Sequence, residues 1–191
     1  MIIAIAVVLG IVVVAAAVLL YSGGGNDSDG SGDGASWHVG DYVEWGYYYY
    51  ENGTAPGEPY GFQRYTVTEV GAEWLAINES TYNAPLNQGG VLTYWTTTHV
   101  SANVTGFGGS VDSWIMLGYD VLSLGTDTVT TDWGQLSAEH YRYSMASGGA
   151  TYTYDLWTRN GFDLMYRTIS DSSDIIMMKM ITSSNIKRAY S

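Results

Sequence analysis

The chain has 191 residues, of which 46% are hydrophobic and only 14% charged, with a formal net charge of −12 and no cysteine. Such a charge repels phosphate backbones and anionic headgroups, which argues against nucleic-acid binding and electrostatic docking onto lipid. Without cysteine there is no disulfide, no thiol catalysis, no zinc–thiolate centre and no lipidated-cysteine anchor.

The first element in chain order is an apolar run. Residues 2–21 carry no charged side chain and are almost entirely Ile, Val, Leu and Ala. A helix of that length spans the roughly 30 Å hydrocarbon core of a bilayer. Residues 1–21 are therefore expected to form a transmembrane anchor helix that meets the membrane lipid bilayer through residues 2–21. Lys and Arg are absent from both ends of the span, so the positive-inside rule is silent. Seven acids between Asp27 and Glu58, with no basic residue among them, favour an extracytoplasmic C-terminal domain. A cleaved leader is the competing reading, and it lacks a basic n-region. Residues 22–36 (SGGGNDSDGSGDGAS) read as a disordered Gly/Ser/Asp linker. Their DSDGSGD run lacks the alternating ligands and closing Glu of a calcium loop. Asn26, Asn52, Asn78 and Asn103 each begin an Asn-x-Ser/Thr acceptor, four of the eight Asn in the chain, and fit a glycosylated outer face.

From residue 37 to 191 the hydrophobic period becomes two. Phe62–Glu69 alternates, Val70-Gly71-Ala72 breaks it, and Glu73–Asn78 resumes, which is a hairpin. Val91–Val100 is rich in Thr, Tyr and Trp. Asp132-Trp133-Gly134 and Asn160-Gly161 separate further strand pairs. Met116–Leu124 has no clear period and is left as a short helix or crossover. Ile175–Ile181 is apolar on both faces except at Lys179, as a central covered strand or a cavity wall would be. The fold class is all-β: a single antiparallel meander of eight to ten strands, in a strongly curved sheet or half-barrel, preceded by one transmembrane helix.

Chemistry is hard to place. His38, His99 and His140 sit on separate elements with no metal-ligand spacing, so no metal is expected. The acids lack a pairing motif, no GxSxG elbow is present, and Gly106-Phe107-Gly108-Gly109 lacks the Lys of a phosphate loop and reads as a flexible loop. Neither an enzyme nor a cofactor is expected. The aromatic content is the better signal, with 17 Tyr and 7 Trp. In a strand, Tyr47 and Tyr49 share one face and Tyr48 and Tyr50 the other. Both faces cannot be pure core, so some of these rings are expected to be available to a ligand. Tyr47, Tyr49, Trp95 and Trp157 are the candidate ligand-binding residues.

The turns and Trp placement of the last third carry a resemblance. Gly125-Thr126-Asp127-Thr128-Val129, Trp133-Gly134, Tyr154-Asp155-Leu156-Trp157 and Asn160-Gly161 resemble the pattern of membrane-anchored archaeal surface proteins of unassigned function. More distantly the pattern is similar to the LolA/LppX-like lipoprotein-carrier group, which implies a curved sheet open as a half-barrel. The expectation is a non-enzymatic, membrane-anchored cell-surface or envelope protein that binds a lipid, glycan or protein partner. The alternative is a pilin-like structural subunit whose N-terminal apolar helix packs in a filament core.

Overall fold

Alternating apolar and polar side chains suit a pleated surface, and the domain is built almost wholly from it. The computed structural model describes residues 37–83, 98–101, 104, 106–107 and 111–190. The anchor and linker expected over 1–36 lie outside the described residues, and no helix among the described residues is long and apolar enough to cross a membrane. The strands are β1 (Tyr42–Glu51), β2 (Gly61–Val70), β3 (Trp74–Asn83), β4 (Thr98–Ser101), β5 (Leu122–Thr131), β6 (Gly134–Ser147), β7 (Ala150–Arg159), β8 (Phe162–Ser170) and β9 (Ile175–Ser184). One short helix, α1 (Val111–Met116), lies between β4 and β5.

All nine strands form one antiparallel sheet in the order β4-β3-β2-β1-β9-β8-β7-β6-β5, with β4 and β5 at its two ends among the described residues. The expected meander is thus two runs in which consecutive strands are neighbours, joined where β1 pairs with β9. The reason lies in the apolar stretch Ile175–Ile181, which finds a partner strand on each side at the centre of the sheet. Asn160 and Gly161 take φ of 50° and 79°, so they make the tight β7–β8 turn that an Asn-Gly pair favours.

Register fixes which side chains share a face. Tyr47 lies opposite Lys179, Lys179 opposite Tyr166, Tyr166 opposite Leu156 and Leu156 opposite Tyr141. The neighbouring row on that face runs Tyr49, Met177, Thr168, Tyr154, Tyr143. Towards β3 the same face continues through Trp45, Gln63 and Thr81, and through Val43, Tyr65 and Glu79. We call it the core face, because Val43, Trp45, Val67, Leu75 and Ile77 are all fully buried in the main hydrophobic cluster. Trp37 and Phe107, 4.6 Å apart, pack in that cluster. Each such buried side chain contributes roughly 1.5–3 kcal/mol.

Of the flexible loop expected over 106–109, Gly106 and Phe107 are described and depart from it, while 108–109 lie outside the described residues. Phe107 is buried in the core, and a Cβ on Gly106 would sit 2.2 Å from the Gly161 carbonyl oxygen. Only a glycine lets this backbone lie against the β7–β8 turn. The uncertain stretch 116–124 resolves into the end of α1, a turn and the start of β5. Trp114 of α1 is buried against Tyr143 and Leu156, so the helix covers the β6–β8 part of the core face.

Candidate functional site

The two ends of the core face differ in chemistry. Beyond Trp45 the apolar cluster gives way to phenols. Tyr47 and Tyr49 are half-buried on this face, as the strand parity requires, while Tyr48 is buried and Tyr50 half-buried on the opposite one. The Tyr60 ring lies 5.0 Å from that of Tyr49, and the Tyr60 hydroxyl donates to the Tyr49 carbonyl at 2.6 Å.

Across β9, the face carries Lys179, whose side chain is 11% exposed. Its Nζ lies 3.7 Å from Asp163 Oδ2 and 4.8 Å above the Trp45 ring. Further along the rows the rings stack. Tyr119 lies on Tyr143 at 4.5 Å, Tyr143 on Tyr154 at 4.6 Å, and Trp114 meets Tyr143 edge-on at 4.5 Å. On β2 and β3 a polar group closes the site. Gln63 Nε2 donates to the Tyr65 hydroxyl at 3.0 Å and to Glu79 Oε1 at 2.7 Å, and the Thr81 hydroxyl donates to the same oxygen at 3.2 Å. Gln63 Oε1 is buried with no hydrogen-bond partner among the described residues. Turning the amide over would set that oxygen against the Glu79 carboxylate, so the hydrogen bonds from Nε2 fix the amide's orientation.

Burial holds these phenols neutral. It raises the Tyr47 hydroxyl well above its usual range, with Glu79 and Tyr49 adding to the effect. Tyr65, Tyr143 and Tyr166 are raised too, each chiefly by burial. A neutral phenol both donates and accepts, and its ring offers an apolar face.

Trp157 lies elsewhere. Its row, Gly46–Met180–Met165–Trp157–His140, is on the opposite face, so the structure does not bring it to Tyr47 and Tyr49. The Trp157 ring is buried, stacks on His140 at 4.1 Å and donates through Nε1 to Asp127 Oδ2 at 3.1 Å. Beside it, Asp155 is fully buried and accepts from Arg142 Nε at 2.6 Å and from Arg167 Nη2 at 2.8 Å, with His140 Nε2 3.0 Å away. Burial would raise this carboxyl, but the hydrogen bonds from Arg142, Arg167 and His140 outweigh it and hold it below the usual range. This saturated cluster ties β6, β7 and β8 together.

Trp95, Asn26 and Asn103 lie outside the described residues. Asn52 is exposed in the β1–β2 turn, and Asn78 is half-buried within β3. Among the described residues no group of three or more His, Asp or Glu is placed to hold a metal ion. Gln63, Tyr65, Glu79, Lys179, Tyr143, Tyr154 and Tyr166 were not legible as site residues. Gln63, Tyr65 and Glu79 join the face through the β1–β2 and β2–β3 pairings, whereas Lys179, Tyr166, Tyr154 and Tyr143 join it only through the β1–β9 pairing, which links positions about 130 residues apart and has no local signal.

No family model matches the chain, and no curated protein matches it. Among solved structures it is similar to a protein of YMCC-like fold from Bacteroides fragilis NCTC 9343, described as exported. The identity is 10%, the match covers 78% of this chain and 96% of that one, and the TM-score is 0.47. No comparison links the chain to archaeal surface proteins or to LolA/LppX-like carriers.

Proposed function

We propose that the domain is a non-enzymatic binding module displayed outside a membrane, and that the tyrosine rows of its core face take a neutral, hydroxyl-rich glycan. The observation that carries this reading is the alignment of the half-buried Tyr47, Tyr49 and Tyr154 on one face, with the buried Tyr143 ring stacked behind Tyr154. Aromatic rings take the C–H faces of a sugar, and neutral phenols exchange hydrogen bonds with its hydroxyls. The net charge of −12 disfavours acidic polysaccharides. Two carboxylates near the rows, Glu79 and Asp163, are engaged by Gln63 and Lys179, an arrangement suited to holding side chains in place.

A further feature supports the reading. The uncharged run over 2–21 and the 15-residue linker supply a tether, and the exposed Asn52 leaves room for a glycan of the protein's own. The test is an array of neutral and charged glycans probed with the full chain in lipid nanodiscs. Retention on neutral glycans is expected. A blank array would sink the reading, and release of reducing sugar would make the module a hydrolase instead.

A further inference from the structure

An apolar rim stands apart from the core face. Ile115, Met116 and Leu117 at the end of α1, with Leu122 and Leu124 at the start of β5, are exposed, from 46% at Leu124 to 66% at Met116. The rim is rigidly presented. Gly118 N donates to the Ile115 carbonyl at 2.9 Å and Tyr119 N to the Trp114 carbonyl at 3.1 Å, while Gly118 takes φ of 83°. This is the hydrogen-bond pattern of a Schellman cap. Trp114 and Tyr119 on either side of the turn pack in the second cluster, so the three apolar side chains between them are held out towards solvent.

Two occupants compete for such a rim. A second copy would add its strand to the free edge of β5. Register slips there between Ser123 and Gly125, and Gly125 takes φ of 83°. A bulge of that kind twists an edge away from strand addition. A bilayer needs no strand edge. It takes the apolar side chains alone, and because no Lys or Arg occurs between Arg64 and Arg142 the surface it offers must be uncharged.

The tether also puts a bilayer within reach. Trp37, the first residue after the linker, contacts Phe107, and α1 begins four residues later. Even at full reach, the four steps from Phe107 to Val111 and the short helix keep the α1 end of the rim within about 30 Å of the point where the tether enters. A Gly/Ser-rich linker of 15 residues has an r.m.s. span of about 20 Å. We propose that Ile115, Met116, Leu117, Leu122 and Leu124 insert into the uncharged outer surface of the bilayer that holds the tether, fixing the domain's orientation. This rests on the tethered reading given above.

The absence of cysteine makes the test clean. Met116→Cys, and Ile175→Cys as a control four strands away, are each labelled with an environment-sensitive dye in the full chain. Each protein is placed in phosphatidylcholine vesicles that contain a spin-labelled lipid quencher. Quenching at position 116 is expected to exceed that at 175 by about threefold or more, and adding Leu117→Asp should abolish the difference. Equal quenching in chains that float with the vesicles would overturn the docking and leave the tether standing. Chains that do not float would overturn both. A dye at 116 that is shielded from water yet unquenched by lipid, in a protein that is dimeric by light scattering, would overturn the docking in favour of a second copy.

Discussion

The apolar and tyrosine ends of the core face share strands yet solve different problems. At the apolar end Val43, Trp45, Leu75, Phe162 and Leu164 are all fully buried, and the polar atom of Trp45 is spent on the Asp163 carbonyl at 2.7 Å. At the other end Tyr47, Tyr49, Tyr154 and Tyr166 are only half-buried. A side chain that served only packing would be selected for shape and apolar area. The difference teaches that one face can be closed by apolar packing at one end and lined by partly exposed phenols at the other, on the same strands.

The largest expected effect tests the apolar end. Phe162→Ala removes a buried ring among Trp37 and Phe107 and should cost about 3–5 kcal/mol in denaturant unfolding. Tyr49→Ala, made at the other end, should cost less than half as much. Equal costs would erase the distinction between the two ends.

Next in size is the buried carboxylate on the opposite face. Asp155→Ala strands Arg142 and Arg167, and because both guanidiniums reach water the loss should fall below the roughly 3–5 kcal/mol of a fully buried pair. The same group predicts an acid limit. Its folded pKa is depressed, so the stability it supplies is present above the unfolded carboxyl value near 3.9 and is lost as pH falls through the folded value. In Asp155→Ala the acid unfolding transition should lose part of its steepness.

The tyrosines set the alkaline limit with the opposite sign. Tyr47, Tyr65, Tyr143 and Tyr166 have raised folded values, so the fold is unaffected below the unfolded phenol value of about 10 and loses stability as pH rises above it. Tyrosinate absorbance from these residues should appear together with loss of β-sheet circular dichroism. Tyrosinate signal equivalent to all 17 Tyr in a still-folded protein would contradict the burial of this end. The smallest effect belongs to Tyr143→Phe, which keeps the stacked ring, removes one hydroxyl and should change stability by about 1 kcal/mol.

Much of this architecture was legible in local pattern. Alternation in Phe62–Glu69, the Asn160-Gly161 turn and the apolar Ile175–Ile181 stretch marked strands, a hairpin and a central position, because each depends on neighbours within a few residues. The parity that puts Tyr47 and Tyr49 together was legible for the same reason. The register puts Trp157 on the other face from them, which was not legible, since parity on β7 relative to β1 passes through three strand pairings that no short window contains. The core role of Phe107 was hidden as well. A glycine-flanked aromatic reads as loop until the β7–β8 turn is known to lie against it.

The most direct measurement is calorimetric titration of a neutral glycan selected on the array into two variants of the full chain, Tyr49→Ala on the core face and Tyr50→Ala on the other. If the core-face tyrosines are the binding surface, Tyr49→Ala should weaken binding by about tenfold, the worth of one stacked ring, while Tyr50→Ala stays within about twofold of the parent. Equal losses in both variants, or a loss confined to Tyr50→Ala, would contradict the account.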